Sequence, residues 1–422
     1  MVTPSFSRFA DSVEIESAFD VLATARKLQR TGKDVIELEI GDSPFPTSTS
    51  AVSAGVQAIE QDACHYGPSQ GLPEFRQAAA DYLNQEYAVP VNAAHIVAGP
   101  GAKTFELLFL EAFVDPGEEV LVFTPHFPTY PPNIARRGAS MRLSTLLAEN
   151  DFRPNLNDVA RFINEGGRAI FLNSPHNPTG GVATREDIAA LADLVRGRDV
   201  VVFSDEPYDR MAWNDQHHTL LSQPGMLDHC VAAYTFSKSY SMSGWRLGFA
   251  ASSERHIEVL TKLTNTSLSC VPPFTQMAGI AALRNDRQER EQRMQVFEKR
   301  VSELAKALDK VDGVRCKRPA GTFYVFPQVA ELCNDLSITS HGLAMYLLEA
   351  ADDQRGVACL GGECFGTAGR GFLRMSCAEP EERLLLAVDF LRKAVQRRTR
   401  VEKFLDDRPE FQLVQPYVIG TL

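Results

Sequence analysis

From residue 94 onward the chain alternates short β-branched runs with longer amphipathic stretches, and this rhythm limits the fold more than any other feature. Strands are expected at 95–98, 119–123, 169–173, 200–204, 231–234 and 247–251, with helices at 103–113, 128–137, 185–196, 254–265 and 272–284. Such alternation builds βαβ units and a mainly parallel sheet, so the class is α/β. In open sheets of this kind the ligand crevice lies outside the carboxyl ends of the strands.

Upstream, a polar arm over 1–18 leads into an amphipathic helix at 19–32 that Gly32 closes, followed by a strand at 35–40 and helices at 51–62 and 73–86. Downstream, a long charged helix at 286–310 introduces a second α+β unit, with strands at 322–326 and 371–376 and helices at 340–350 and 380–400. Residues 401–422 carry Phe404, Phe411, Leu413, Val414, Tyr417, Val418 and Ile419, which is too apolar for a free tail. They are expected to pack on the body or on a partner chain.

A chain of 422 residues, 44% hydrophobic, can bury the cores of more than one domain. With 43 basic and 54 acidic residues the net charge is −11, spread along the chain, which argues against a nucleic-acid partner. No stretch approaches the roughly 20 apolar residues of a membrane helix, and no basic-then-apolar leader is present, so a cytoplasmic protein without a membrane partner is expected. The eight cysteines form no CxxC pair, which points to free thiols and no metal site.

Five strands end in polar turns: Gly99-Pro100-Gly101-Ala102-Lys103, Thr124-Pro125-His126-Phe127, the run from Asn173 to Gly181, Ser204-Asp205-Glu206-Pro207-Tyr208, and Thr235-Phe236-Ser237-Lys238. All five can face one cleft. The first sets glycine before a helix, where free amides and the helix dipole favour a phosphate. Ala102 and Val97 stand where a P-loop needs glycine, and Thr104 stands where a dinucleotide fingerprint needs a small residue, so a smaller phosphate ligand is expected.

Taken singly, Lys238 also reads as an exposed loop lysine, Phe127 as core, Asp205 as a helix cap or ion-pair partner, and Asn177 and Tyr208 as turn or packing residues. Together they match pyridoxal 5′-phosphate. Lys238 can form the Schiff base, Arg246 and the first turn can take the phosphate, and Asp205 can face a protonated pyridine nitrogen. Asn177 and Tyr208 can reach the ring hydroxylate, and Phe127 can stack on the ring.

The segments SPHNPTGG, SDEPY, TFSKSYSMSGWRLGF and RMSCAEP resemble the class I/II aminotransferases of fold type I, the aspartate-aminotransferase-like enzymes, over about 19–397. The resemblance implies a seven-stranded, mainly parallel sheet between helices in a large domain, and a smaller α+β domain built from both chain ends. The corresponding boundaries are 1–48 for the arm and part of the small domain, 49–295 for the large domain, 296–400 for the small domain and 401–422 for an extension. It also implies a homodimer with active sites shared between subunits.

Carried over by residue, Lys238 forms the internal aldimine and shuttles the proton, while Asp205 holds the ring nitrogen protonated. Gly101, Ala102, Lys103, Thr235, Ser237 and Arg246 match the phosphate cup, and Tyr66 matches a tyrosine reaching the phosphate from the neighbouring subunit. Arg374 matches the grip on the substrate α-carboxylate, with Asn177 and the Gly41 backbone beside it; a planar guanidinium suits that task. The implied reaction moves an amino group from an L-α-amino acid to a 2-oxo acid by ping-pong half-reactions.

Two loops depart from the family pattern. Gly41-Asp42-Ser43-Pro44-Phe45 stands for GEPDF, and Gly361-Gly362-Glu363-Cys364-Phe365-Gly366 stands for PGxxFG. The substrate's side chain therefore stays open, and Glu363 reads either as a selector of cationic substrates or as a solvated surface acid. The same residues also suit elimination, cyclisation or oxidation of an amino acid. A regulatory sensor on this scaffold would need a DNA-binding unit, for which the region before residue 19 has little room.

Overall fold

The computed structural model describes residues 4–13 and 16–420; residues 1–3 and 14–15 of the expected arm and 421–422 of the extension lie outside them. In chain order the strands are β1 (Asp34–Glu37), β2 (Ile96–Gly99), β3 (Glu119–Thr124), β4 (Ser140–Thr145), β5 (Ala169–Asn173), β6 (Val201–Asp205), β7 (Cys230–Thr235), β8 (Gly248–Ala251), β9 (Tyr324–Val325), β10 (Arg355–Ala358), β11 (Leu360–Gly361) and β12 (Leu373–Ser376).

Seven of these form one sheet in the order β2-β8-β7-β6-β5-β3-β4. The run from β7 to β4 is parallel, while β8 is antiparallel to both neighbours. Side chains alternate between two helical layers: Leu121, Ile170 and Val202 join one core, and Val120, Phe171 and Phe203 join the other. A strand buried on both faces must be apolar at every position, which is why these strands were legible as continuous apolar runs.

The strand β4 was not expected. Its sequence Ser-Met-Arg-Leu-Ser-Thr is mostly polar because it forms the sheet edge, where Arg142 pairs with Glu119 and Glu165. The helices Leu156–Asn164 and Ala330–Leu336 and the short strands β10 and β11 were also missed. Other helices fall close to expectation, with Lys103–Phe113, Arg185–Val195 and Pro273–Asn285 among them.

Beyond the helix Arg287–Leu308, β1 pairs in parallel with β10, and β11-β12-β9 form a small antiparallel sheet. One core cluster joins these strands to the N-terminal helix Ser17–Arg30 through Val21 and Ala25. The helix expected at 380–400 is two, Glu381–Ala394 and Arg398–Asp407. In the extension Phe404 stacks on Phe411 at 5.8 Å, and Leu413 and Tyr417 pack on the same core, whereas Val414 and Val418 face solvent. Among the described residues no helix is long and apolar enough to cross a membrane.

Candidate active site

The carboxyl ends of β2, β3, β5, β6 and β7 open on one cavity of about 390 Å³. Its lining includes Ala102, Lys103, Phe127, Asn177, Asp205, Tyr208, Thr235, Ser237, Lys238 and Arg246 from the large sheet, with Gly41 and Arg374 from the smaller ones. Parallel strands end on a common edge, so residues far apart in sequence meet there.

Lys238 and Arg246 lie on the connection between β7 and β8. The Lys238 Nζ donates to the Gly41 carbonyl at 2.5 Å. Arg246 is fixed by bonds from Nη1 to the Ser243 carbonyl at 2.9 Å and from Nη2 to the Pro100 carbonyl at 3.1 Å, which set its guanidinium against the start of the helix Lys103–Phe113. Thr235 donates to Ser237 Oγ at 2.9 Å and itself accepts the Ser237 amide at 3.2 Å, so the two hydroxyls are ordered side by side.

Gly101 does not line the cavity, and its amide is spent on the Gly99 carbonyl at 2.8 Å. Its contribution is room. It has a φ of +91°, and a Cβ there would lie 2.9 Å from Arg246 Nη2. The amides available to an anion are therefore those at the helix start beyond it, beginning at Ala102 and Lys103. The Lys103 ammonium pairs with Glu16 and lies 5.3 Å from the Phe127 ring centre.

Asp205 ends β6 and is 6% exposed. Tyr130 donates to its Oδ2 at 2.6 Å, and Asn173 Nδ2 donates to its backbone carbonyl at 2.8 Å. Burial pushes its carboxyl above the ordinary range, while the Tyr130 bond pulls it back. A cation brought alongside would favour the carboxylate. Glu106, also in the lining, is raised more strongly by burial and by the charge of Asp205.

Arg374 also lines the cavity and is 4% exposed, its guanidinium lying 4.4 Å from the Tyr324 ring centre and 5.0 Å from that of Phe365. Its Nη1 donates to Asn177 Oδ1 at 3.1 Å, Nη2 donates to the Glu39 carbonyl, and Nε has no partner. Asn177 Nδ2 in turn meets Tyr208 Oη at 3.3 Å, and that oxygen lies 3.1 Å from Tyr324 Oη. Gly41 must lack a side chain, because a Cβ would fall 1.7 Å from Tyr324 Oη.

Two residues singled out from the sequence lie outside this chain's own cavity, Tyr66 being the one expected to serve the neighbouring subunit. Tyr66 is 90% exposed and lies outside its own chain's cavity. Glu363 does not line the cavity either, and its carboxylate is engaged elsewhere: Ser340 Oγ donates to Oε2 at 2.6 Å, and the Ser340 amide and Tyr417 hydroxyl donate to Oε1 at 3.0 and 2.5 Å. The C-terminal extension consumes that acid. Sequence reasoning missed Tyr130, Tyr324, Glu106 and the Glu16–Phe19 segment; the FPTY and GTFY runs carried only an aromatic signal, which burial explains equally well.

The site suits a flat cation-bearing ring with an anionic arm. A buried acid, a helix start with an adjacent guanidinium, and an amine all line the one cavity. A model of the aminotransferase class I and II family matches residues 33–391. The chain belongs to the class I and II aminotransferases.

Aspartate aminotransferase of Pyrococcus abyssi is 33% identical to this aminotransferase over 91% of the chain and 95% of the relative. The probable aspartate/prephenate aminotransferase of Aquifex aeolicus is 33% identical over 89% and 95%. Among solved structures, Thermus thermophilus aspartate aminotransferase with maleate gives a TM-score of 0.85 at 28% identity, covering 93% of this chain and all of that one. The aromatic aminotransferase of Pyrococcus horikoshii gives 0.81 at 31% identity, covering 89% and 100%. The aminotransferase fold and pyridoxal phosphate dependence expected above are those of this family.

Proposed function

We propose that this aminotransferase exchanges amino groups between an L-α-amino acid and a 2-oxo acid in two half-reactions, with Lys238 as its catalytic residue. The supporting observation is the convergence of Lys238, Asp205 and Arg374 on one cavity, with Arg374 Nε unpartnered and its Nη1 on Asn177.

Pyridoxal phosphate supplies the electron sink for charge developing at the substrate α-carbon. The chain's residues do the rest. Asp205 keeps a proton on the ring nitrogen, and Asn177 and Tyr208 present donors to the ring oxygen. Ala102, Lys103, Thr235, Ser237 and Arg246 take the phosphate, with Gly101 leaving space, and Phe127 covers the ring. Arg374 and the Gly41 backbone orient the α-carboxylate, which leaves the α-hydrogen toward Lys238. There the amine would take the α-proton and hold it for return. Arg374 stays desolvated between two rings, so a carboxylate gains more from it than from an arginine in water.

The reading includes a homodimer in which Tyr66 reaches the partner's phosphate. Val52, Val56 and Ile59, spaced for one face of the helix Thr49–Glu60, are left exposed by their own chain, as are Tyr66 and Met277. The division near residue 295 is supported by the cores, two lying within 51–282 and a third spanning 294–404 with the N-terminal segment 21–38; that third core also takes in Tyr208 and Met211 and continues into 401–422. A cytoplasmic location is supported by eight free cysteines.

The test is a panel of amino acids with 2-oxoglutarate or pyruvate, followed by absorbance. Interconversion of the aldehyde and amine forms of the cofactor by at least one pair is expected. Silence across the panel, or ammonia released without an acceptor, would refute transamination.

A further inference from the structure

The reading above gives Glu106 no role, although it lines the cavity. It stands in the first turn of the helix Lys103–Phe113 and is 2% exposed. An acid in that position ordinarily benefits from the helix dipole as a solvated anion. Here burial opposes the charged form.

Its hydrogen bonds are specific. Thr129 Oγ1 donates to Oε2 at 2.7 Å and Asn133 Nδ2 donates to the same oxygen at 2.8 Å. Both donors belong to the short segment that also carries Phe127 and Tyr130. One bracket therefore ties two acids, Asp205 through Tyr130 and Glu106 through Thr129 and Asn133.

The groups facing Glu106 are Lys103 on its own helix, Asp205 on β6 and Tyr130 on the helix Tyr130–Arg136. Lys103 is shared with Glu16, so the nearest cation is already engaged. With Asp205 ionised against a pyridinium and a phosphate at the helix start, a second buried carboxylate would add repulsion where water cannot screen it.

We propose that Glu106 is a positioning residue that works as a neutral acid, holding the bracket of Phe127 and Tyr130 while the cofactor is bound, and that its deprotonation drives the phosphate end out. This rests on the pyridoxal phosphate reading. Burial and the charge of Asp205 raise the Glu106 carboxyl to about 8, against the opposing pull of the Thr129 and Asn133 bonds and of Lys103.

The experiment compares the wild-type apoenzyme with Glu106→Gln, which keeps an acceptor for Thr129 and Asn133 and cannot ionise. Pyridoxal phosphate is titrated into each across a pH series, and apoenzyme melting is followed over the same series. At about pH 6 the two affinities should agree within about twofold, whereas above about pH 8 the wild-type Kd should rise relative to the variant by up to about tenfold per pH unit. Taking the ratio cancels ionisations common to both proteins.

In melting, a carboxyl raised on folding contributes stability below its unfolded pKa and loses it as pH climbs through the folded one. The variant should therefore gain on the wild type as pH rises. Parallel Kd and melting curves would overturn the proposal. Diverging melting curves without pyridoxal phosphate binding at any pH would instead overturn the cofactor reading.

Discussion

Tyr130 donates its hydroxyl hydrogen to Asp205 Oδ2 across 2.6 Å, and both groups are buried. Removing the donor takes away the bond to that oxygen, and a hydrogen bond to a charged group is worth about 1.5–3 kcal/mol. Tyr130→Phe should raise the Asp205 pKa further and weaken its hold on a ring cation. A fall in kcat/KM of about 10–100-fold is expected. Unchanged kinetics would show that Asp205 does not depend on this bond.

Lys238→Ala should still bind pyridoxal phosphate through the helix start and Arg246 while losing the covalent link. The measurement is cofactor retained on denatured protein after borohydride reduction. It should disappear, and turnover should fall by at least about 10²–10⁴-fold, the range for losing a positioned proton-transfer group.

Arg374→Lys keeps the charge and gives up the planar fork. Because the guanidinium lies between Tyr324 and Phe365, the ammonium cannot copy its contacts. A loss of about 10–100-fold in kcat/KM is expected, with cofactor affinity within about twofold of wild type. Equal losses in both would place Arg374 in cofactor binding instead.

Glu39 is fully buried with both carboxylate oxygens unpartnered, and burial pushes its carboxyl from 4.5 up to about 7. The sign follows from that direction: its contribution is whole below pH 4.5 and is lost as pH rises through about 7. Glu39→Gln should flatten this fall and gain on the wild type by no more than about 3 kcal/mol near pH 8 in denaturant unfolding. A constant difference across the range would rule out a buried titrating Glu39.

Tyr417→Phe should lower thermal stability while leaving the ranking of amino-acid substrates unchanged, because Tyr417 meets Glu363 outside the cavity. The expected cost is about 1–2 kcal/mol for one hydrogen bond to an acid, read from melting. An altered preference between basic and neutral amino acids would restore Glu363 as a specificity residue.

The large sheet was legible because strands such as Ala169–Asn173 are apolar on both faces, and their turns carry the polar residues that meet at one edge. The edge strand Ser140–Thr145 was not, since solvent on one side removes the pattern that announces a strand. Glu106 illustrates a different blindness. In sequence it is an ordinary acid near a helix start, and only the donors arriving from Thr129 and Asn133 reveal a buried carboxyl. Glu363 erred in the other direction: its loop suggested a substrate contact, and the partner that claims it lies 54 positions away in the extension.

The reversed strand β8 has a mechanical consequence. Because it runs back beside β7, with Thr235 opposite Gly248, the chain leaves and re-enters the sheet at the same edge, and Lys238 and Arg246 hang from a single closed loop. Arg374 hangs from a different sheet, on β12. On the proposed reading, a movement between the two sheets would shift the hold on the guest molecule while the resident one kept both of its moorings on the same pier.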